Sequence, residues 1–310
     1  MLKVLVTGVN GFVGKHIVPE LKSRGHEVIG LAHSGPADER ISGLLSEYYE
    51  CDLTKPDEVA KLPLDTINAV INLAGLANVG ESFADPEKYK DVNVGILKVL
   101  GEALVAMKSK ARVIAVSTGA VYDSNQPLPL RETSKTILDG SPYAISKLLM
   151  EETAEELRND GLDCVVVRPF NHFGPGQLPG FLIPDLYQKI MHAKENREPV
   201  KVGNLATRRD YTDVRDIVKA YADLALAETL GFDTYNVCSG KSRSGQEILD
   251  YMLEGLGASE LEIEIDQSFI RPSDPPDLRG SYARLKEETG WEPVIPFGQT
   301  IKDLIKYNSV

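Results

Sequence analysis

A tyrosine and a lysine stand four residues apart near the middle of the chain. They are Tyr143 and Lys147, in the stretch Tyr-Ala-Ile-Ser-Lys. Residues at i and i+4 share one face of a helix, so both side chains can point into the same cleft. A free tyrosine has a pKa of about 10, and a nearby ammonium lowers it by stabilising the phenolate. The pair could be a proton donor with the cation that tunes it, or two polar residues of an ordinary surface helix.

A hydroxyl side chain stands upstream of this pair. Ser117 and Thr118 follow an apolar run that ends at Val116 and begin the segment Ser-Thr-Gly-Ala-Val-Tyr. In a doubly wound sheet, the carboxyl ends of the strands face the ligand crevice. A hydroxyl at this position can therefore hydrogen-bond a substrate oxygen beside the tyrosine.

A glycine-rich turn lies between the first strand-like run and the first helix-like segment. It reads Thr-Gly-Val-Asn-Gly-Phe-Val-Gly, from Thr7 to Gly14. Glycines permit positive φ and close approach of a phosphate, and the following helix N-terminus offers free N–H groups and partial positive charge. Because strand, turn and helix occur in the required order, the turn predicts a dinucleotide site. The alternative is a tight turn without a ligand.

The remaining pattern predicts the sheet that must position these residues. Short apolar runs alternate with helical patterns, which indicates a parallel sheet covered by helices on both faces. We therefore predict an α/β, doubly wound Rossmann-type domain over residues 1–169, to which 206–239 return, and a smaller lobe from 170–205 and 240–310. The predicted strands and helices are residues 4–6, 28–31, 69–73, 112–116 and 164–167, and residues 14–24, 88–108 and 143–158.

Composition excludes several classes of function. The 310 residues are 42% apolar and 26% charged, with a net charge of −12, which disfavours nucleic acid and anionic lipid as partners. No apolar run is long enough for a membrane span, and the first residues lack the pattern of a signal peptide. The cysteines Cys51, Cys164 and Cys238 are dispersed, so neither a disulfide framework nor a metal site is predicted. A cytoplasmic location is expected.

The turn and the polar trio together resemble a known family. TGxxGFxG followed by Thr118, Tyr143 and Lys147 is similar to the extended short-chain dehydrogenase/reductase family. The resemblance implies hydride transfer between nicotinamide and a sugar carbon, without a metal. Thr118 would orient the oxygen, Tyr143 would exchange its proton, and Lys147 would lower the tyrosine pKa and hold the nicotinamide ribose. It also implies that Asn93 organises the site.

The end of the second strand bears on the choice of cofactor. The sequence Leu-Ala-His-Ser, which ends at Ser34, has no carboxylate for an adenosine ribose, so NADP is favoured over NAD. His33 could meet a 2′-phosphate or be a solvated loop residue. With the positions implied by the resemblance, the predicted cofactor site comprises Gly8, Asn10, Gly11, Phe12, Val13, Gly14, His33, Asp52, Leu53, Leu73, Ala74, Gly75, Asn93, Val116, Tyr143, Lys147 and Pro169.

The segment from Arg168 to Gln177, RPFNHFGPGQ, resembles the family's R-x-F-N-x-x-G-P motif. It is closer to the GDP-6-deoxy-mannose reductases than to the hexose 4-epimerases, and it implies that Asn171 reaches a nucleotide-diphosphate sugar. Guanidinium groups suit a diphosphate, although either predicted arginine could be a solvated surface residue. The predicted substrate site comprises Ser82, Thr118, Asn171, Arg209, Arg271 and Asp274.

Three functions remain open at this point. The first is reduction of the C4 ketone of a nucleotide-linked 4-keto-6-deoxyhexose, and the second is a nucleotide-sugar 4-epimerase with tightly bound NAD. The third is a non-catalytic NADP-binding sensor. A 4,6-dehydratase is rejected because the position that holds its acid is Ala120. The resemblance also implies a homodimer that forms a four-helix bundle from the helices at 88–108 and 143–158.

Overall fold

The computed structural model describes residues 1–269 and 275–309. Its strands are β1 (Lys3–Thr7), β2 (Glu27–Ala32), β3 (Glu47–Glu50), β4 (Ala69–Asn72), β5 (Arg112–Val116), β6 (Cys164–Pro169), β7 (Asn171–Phe173), β8 (Val200–Val202), β9 (Arg208–Asp213), β10 (Thr234–Val237), β11 (Ser242–Ser244), β12 (Ile263–Ile265) and β13 (Asp277–Leu278). Its helices are α1 (Gly14–Ser23), α2 (Glu39–Ser42), α3 (Pro56–Val59), α4 (Val79–Ser82), α5 (Pro86–Ala106), α6 (Pro142–Asn159), α7 (Leu182–Asn196), α8 (Val214–Leu226), α9 (Gly245–Gly255), α10 (Ala283–Thr289) and α11 (Phe297–Asn308).

Seven parallel strands form the main sheet, in the order β10-β6-β5-β4-β1-β2-β3. The order reverses beside β1, as in a doubly wound fold, so the predicted fold class is confirmed. The five predicted strands all belong to this sheet, because their apolar runs are buried on both faces. The edge strand β3 was not predicted, since its sequence, Glu-Tyr-Tyr-Glu, is polar at both ends and only partly buried.

The two faces of the main sheet are covered by different helices. On one face, Ile17 and Tyr221 from α1 and α8 pack against Val4 and Val6 of β1. On the other face, α5 and α6 cover Leu5 and its neighbours. A methyl group at Gly101 would come within 2.3 Å of Leu157 Cδ1, so α5 and α6 can cross this closely only because residue 101 has no side chain.

A smaller sheet and a strand pair follow β6. The smaller sheet runs β11-β9-β13 with β7 on β9, β12 pairs with β8, and α7, α9 and α11 contribute to the core beside them. Within 206–239, β9 belongs to this smaller sheet, whereas α8 and β10 lie with the main sheet. Leu285 of α10 and Trp291 also pack into the main-sheet core. Indole Nε1 of Trp291 donates to the carbonyl of Asp216 at 2.9 Å, which fixes this late segment to α8.

Over residues 1–269 and 275–309, no helix has the length and apolar character needed to cross a membrane. The same residues contain no cluster of His, Cys, Asp or Glu suited to a metal ion. All three cysteines are free and buried, and burial raises the pKa of the Cys51 thiol to about 11 and that of Cys164 to about 12. None of them has the low pKa of a reactive thiolate.

Candidate active site

The glycine-rich turn leaves no room for side chains. Gly8 has a φ of 62°, and a methyl group on it would lie 2.9 Å from the amide nitrogen of Ala74. A methyl group on Gly14 would lie 2.2 Å from the carbonyl oxygen of Val9. No side chain caps the N-terminus of α1. The bare turn and the open helix end therefore fit the pyrophosphate of a dinucleotide.

Hydrogen bonds hold the turn against the end of β4. The Thr7 hydroxyl donates to Asn72 Oδ1 at 2.7 Å and accepts from the amide of Ala74 at 3.0 Å. Gly75 follows with a φ of 151°, and a methyl group on it would lie 2.6 Å from Asn93 Oδ1. Leu73, Ala74 and Gly75 thus stand directly beside the turn, as predicted from the resemblance.

Thr118 and Tyr143 meet at the carboxyl edge of the main sheet. Thr118 follows β5 in extended backbone, and its hydroxyl lies close enough to Tyr143 to favour a lower pKa of the phenol. Ser141 caps α6 by accepting from the amide of Ala144 at 3.2 Å, and Pro142 occupies the first turn. This start places Tyr143 at the amino end of the helix, where it is only 9% exposed.

Lys147 lies one turn further along α6 and is also buried. Its ammonium donates to the carbonyl of Val116 at 2.8 Å, and burial lowers its pKa to about 8. Burial raises the pKa of Tyr143 above its ordinary value, while the nearby Thr118 hydroxyl acts in the opposite direction. The expected lowering of the Tyr143 pKa is therefore not seen. Desolvation of the phenol has the largest effect on the Tyr143 pKa. The Lys147 ammonium donates to the Val116 carbonyl.

Asn93 connects the glycine-rich half of the site to α6. Its side chain accepts from the amide of Leu76 at 2.8 Å and donates to the carbonyl of Leu76 at 3.1 Å. It also donates to Ser146 Oγ at 2.9 Å, and Ser146 in turn donates to the carbonyl of Tyr143 at 2.8 Å. These contacts agree with the organising role that the resemblance implies for Asn93. Ser146 was missed, although it lies inside the Tyr-to-Lys stretch.

The predicted adenosine-side residues differ in accessibility. The His33 side chain is 78% exposed, and its imidazole lies 4.0 Å from the Asp52 carboxylate. Asp52 accepts from the Thr54 amide and hydroxyl, and these hydrogen bonds lower its pKa. Leu53 packs into the main-sheet core and is 3% exposed. Of the remaining predicted positions, Val116 is half-buried and Pro169 is buried.

A charged cluster beside the turn was not predicted. Asn10 Oδ1 accepts from the amide of Asp38 at 2.9 Å, and its amide group donates to the carbonyl of Pro36 at 3.0 Å. The Asp38 carboxylate pairs with Arg40 at 2.8 Å and with Lys15 at 3.3 Å, and both cations lower its pKa. Asn10 therefore fastens the loop after β2 to the glycine-rich turn. The irregular backbone of this loop left no periodic signal in the sequence.

The predicted substrate residues are only partly brought together. Asn171 is exposed on β7, opposite Tyr211 of β9. Arg209 is half-buried on β9, and its guanidinium donates to the carbonyl of Pro275 at 2.7 Å. Ser82 is fully buried and donates to the carbonyl of Val79 at 2.7 Å, so a sugar could reach it only after α4 moves. Arg271 and Asp274 lie outside the described residues.

Phe12 extends from the turn toward the smaller sheet. Its ring lies parallel to that of His172, with 6.3 Å between the centroids, and edge-on to His16. His16 contacts the carbonyl of Pro175 at 3.0 Å, and burial lowers the pKa of both histidines. The glycine-rich turn is therefore in direct contact with the segment that carries Asn171.

Comparison with known proteins agrees with this arrangement. Residues 4–238 match the NAD dependent epimerase/dehydratase family. The chain belongs to this family. The resemblance inferred from the turn and the polar trio is therefore confirmed, and the chain is related to nucleotide-sugar enzymes that use NAD or NADP.

Two relatives of this chain within the epimerase/dehydratase family have different activities. It is 34% identical to GDP-6-deoxy-D-mannose reductase of Pseudomonas aeruginosa, over 98% of this chain and 96% of that protein. It is 29% identical to UDP-glucose 4-epimerase of Bacillus subtilis, over 94% of this chain and 92% of that protein.

Solved structures of the family are similar over nearly the whole chain. RMD from Pseudomonas aeruginosa complexed with NADPH superposes with a TM-score of 0.84, at 30% identity and full coverage of both chains. UDP-glucose 4-epimerase of Thermotoga maritima with UDP-glucose superposes with a TM-score of 0.89, at 26% identity and 99% coverage of both chains. An epimerase of Thermus thermophilus complexed with NAD gives 0.85, at 26% identity, over 99% of this chain and 98% of that one.

The burial of Lys147 leads to a prediction for the stability of this protein. We expect the free energy of unfolding of Lys147→Met at pH 7 to exceed that of wild type by about 1 to 3 kcal/mol. The variant should therefore unfold at a higher denaturant concentration, and it should lose turnover. Below its folded pKa of about 8, the lysine must keep a charge in a buried site, whereas the unfolded chain carries that charge in water. The destabilisation of the folded state by this buried charge is largest below pH 8. It disappears as the pH rises toward the unfolded-state pKa of 10.5, because the folded lysine becomes neutral.

Urea unfolding at several pH values checks this prediction. Lys302→Met on α11 is the matched control, because its side chain is exposed and its replacement should leave stability nearly unchanged. A Lys147→Met variant that is less stable than wild type at pH 7 would show that the ammonium stabilises the fold.

Proposed function

We propose that the chain reduces the C4 ketone of a nucleotide-linked 4-keto-6-deoxyhexose with NADPH. The substrate proposed is GDP-4-keto-6-deoxymannose, and the product is GDP-6-deoxymannose (GDP-rhamnose). The observation that carries the proposal is the buried contact between Thr118 and Tyr143, one helical turn from Lys147 and beside the glycine-rich turn. This arrangement supports the roles of proton donor, orienting hydroxyl and cation that we propose for Tyr143, Thr118 and Lys147.

The proposed step uses three side chains of this chain. When bound, the nicotinamide supplies the hydride that is delivered to the C4 carbon. Thr118 donates a hydrogen bond to the ketone oxygen and orients it, and Tyr143 gives its phenolic proton to that oxygen as negative charge develops. The Lys147 ammonium holds the nicotinamide ribose. Tyr143 is then reprotonated before the next turnover.

The cofactor and the nucleotide are the finer parts of the proposal. Greater identity to the GDP-6-deoxy-D-mannose reductase than to the epimerases supports a GDP-linked keto sugar. The NADPH complex of RMD and the lack of a carboxylate between Leu31 and Ser34 support NADPH. Asn171 and Arg209 are proposed to contact the nucleotide sugar, with Arg271 and Asp274 as further candidates.

Elimination chemistry is disfavoured by packing next to Thr118. A methyl group on Gly119 would lie 2.9 Å from the ring of Phe170, which is itself buried. The next residue, Ala120, carries no acid. An acidic side chain at residue 119 would therefore require Phe170 to shift. At residue 120 this chain has alanine, which cannot supply the proton transfer of an elimination.

A 4-epimerase is the second candidate. The structural likeness to the Thermotoga maritima enzyme favours it, because the TM-score of 0.89 exceeds that for RMD. Such an enzyme would oxidise C4, let the keto sugar turn over, and return the hydride to the other face. It should retain NAD through purification, whereas a reductase exchanges its cofactor in every turnover.

We also propose that two copies pair through α5 and α6. Val94, Ile145 and Leu148 of these helices are half-buried in one chain, next to the exposed Lys98 and Glu152. Burial of the three apolar side chains would favour pairing. A single chain has a mass of 34.0 kDa, so light scattering should give twice this value.

One assay separates the candidate functions. The purified protein is mixed with NADPH and GDP-4-keto-6-deoxymannose, and the absorbance of NADPH is followed. We expect it to fall, with GDP-6-deoxymannose as the product. No loss, together with interconversion of UDP-glucose and UDP-galactose without added cofactor, would identify an epimerase. Neither activity, with NADPH binding retained, would identify a non-catalytic sensor.

A further inference from the structure

A buried ion pair joins α6 to β6 behind the catalytic residues. Arg168 Nε donates to Glu151 Oε1 at 2.9 Å, and Arg168 Nη2 donates to Glu151 Oε2 at 2.6 Å. The two side chains are 9% and 12% exposed. A bidentate pair with this little solvent around it fixes both position and orientation. The sequence did not single out either residue for this role, although Glu151 follows Lys147 by four residues.

The same carboxylate reaches the strand that leads to Thr118. The Ser117 hydroxyl donates to Glu151 Oε1 at 2.5 Å, and the carbonyl of Val116 accepts from Lys147 at 2.8 Å. Two successive residues at the end of β5 are thus bound by two side chains one turn apart on α6. Thr118 is the next residue, so these contacts set its place relative to Tyr143.

Further hydrogen bonds hold the far side of Arg168. Its Nη1 donates to the hydroxyl of Tyr122 at 2.9 Å, and its guanidinium lies 4.8 Å from the centre of that ring. The Tyr122 hydroxyl donates to Asn236 Oδ1 at 2.7 Å. The Glu151 carboxylate is therefore held by a cation that cannot move without breaking several buried contacts.

We propose that Glu151 is a positioning residue, which fixes Thr118 relative to Tyr143 through Ser117 and keeps the Lys147 ammonium charged for the cofactor. The part that concerns Thr118 rests on the proposed function. The part that concerns Lys147 does not, because it applies to any nicotinamide cofactor held at this site. Glu151 acts through other residues and is not proposed to touch substrate.

The electrostatic part follows from the groups around Lys147. Burial lowers the pKa of Lys147, and the negative charge of Glu151 raises it. Tyr143, one turn before Lys147 on the same helix, is neutral at neutral pH because burial raises its pKa. Arg168 from β6 is bound to the Glu151 carboxylate. Glu151 is the charged group that raises the pKa of Lys147.

Cofactor binding at a series of pH values tests the inference without any sugar substrate. The dissociation constant of NADPH is measured by its fluorescence for wild type, Glu151→Gln and the control Glu156→Gln, whose side chain is exposed on the same helix. In wild type and control, affinity should be lost with a midpoint near the lysine pKa of about 8. In Glu151→Gln the midpoint should fall by about one pH unit. Equal midpoints in all three proteins would overturn the inference.

Two further variants separate charge from structure. Glu151→Asp keeps the charge, so its midpoint should return toward that of wild type, and a midpoint equal to that of Glu151→Gln would overturn the electrostatic part. Ser117→Ala keeps both charges and provides a test if Glu151→Gln does not fold. Its midpoint should not move and its NADPH affinity should stay close to that of wild type, but its kcat with the sugar substrate should fall about threefold to tenfold. Wild-type kcat in Ser117→Ala would overturn the positioning part.

The outcome is independent of which sugar is reduced. If the protein oxidises no NADPH with GDP-4-keto-6-deoxymannose, the proposed function fails, yet the binding midpoints still decide the role of Glu151. If the sugar is reduced but the midpoints coincide, the proposed function stands and the inference fails.

Discussion

Tyr143→Phe is expected to lower turnover by about a thousandfold while leaving NADPH affinity within about threefold of wild type. The substitution removes the phenolic oxygen beside the Thr118 hydroxyl and leaves the buried ring in place. A ketone oxygen would then gain negative charge with no proton donor beside it. Thr118 can still donate a hydrogen bond, so cofactor and substrate should continue to bind.

Steady-state kinetics with NADPH and the keto sugar check this result, with cofactor affinity measured separately by fluorescence. Tyr187→Phe is the matched control, because it removes a phenol hydroxyl that donates to the carbonyl of Asn308 at 3.3 Å, away from Thr118 and Lys147. The control should keep full turnover. If Tyr143→Phe retained more than about a tenth of the wild-type rate, another group would have to supply the proton.

Gly14→Ala should abolish cofactor binding and destabilise the fold, with an expected loss of about 3 kcal/mol or more. The added methyl group would stand 2.2 Å from the carbonyl oxygen, 2.6 Å from the carbonyl carbon and 2.7 Å from the Cα of Val9. All three are backbone atoms, which cannot turn aside as a flexible side chain can. The turn must therefore open, and the N-terminus of α1 moves away from the phosphate position.

Gly43→Ala provides the control for this effect. Gly43 has a φ of −71°, and nothing lies within 4 Å of a methyl group placed on it. Its stability and its NADPH affinity should stay close to those of wild type. Urea unfolding and fluorescence titration give both quantities for each variant. Wild-type cofactor affinity in Gly14→Ala would show that the turn does not hold the pyrophosphate.

Much of the main sheet could be predicted because each strand has a short-range signature. Buried β-branched runs separated by amphipathic helices determine a doubly wound sheet with little help from distant contacts. The helix predicted from residue 88 begins at Pro86, where Asp85 caps it by accepting from the amide of Lys88. The position of β9 was not predictable, since its pairing with β7, β11 and β13 depends on segments far apart in sequence.

The site was predictable as a set of residue types but not as a set of contacts. Spacing placed Tyr143 and Lys147 on one helix face, and strand order placed Thr118 beside them. Spacing alone could not reveal that the lysine proton goes to the Val116 carbonyl or that burial raises the pKa of Tyr143. Ser82 shows the same limit, because its burial depends on how α4 packs and not on its sequence neighbours.

In the proposed reaction, hydride passes from a freely exchanging cofactor to C4 of the sugar and remains there. Isotope labelling follows this transfer, with NADPH that carries deuterium at both C4 positions of the nicotinamide, mixed with enzyme and GDP-4-keto-6-deoxymannose. Mass spectrometry of the product should show one deuterium per sugar, at C4, in amounts equal to the NADPH consumed. Recovery of unlabelled product, or of labelled NADPH beside an unchanged keto sugar, would rule out the proposed reaction.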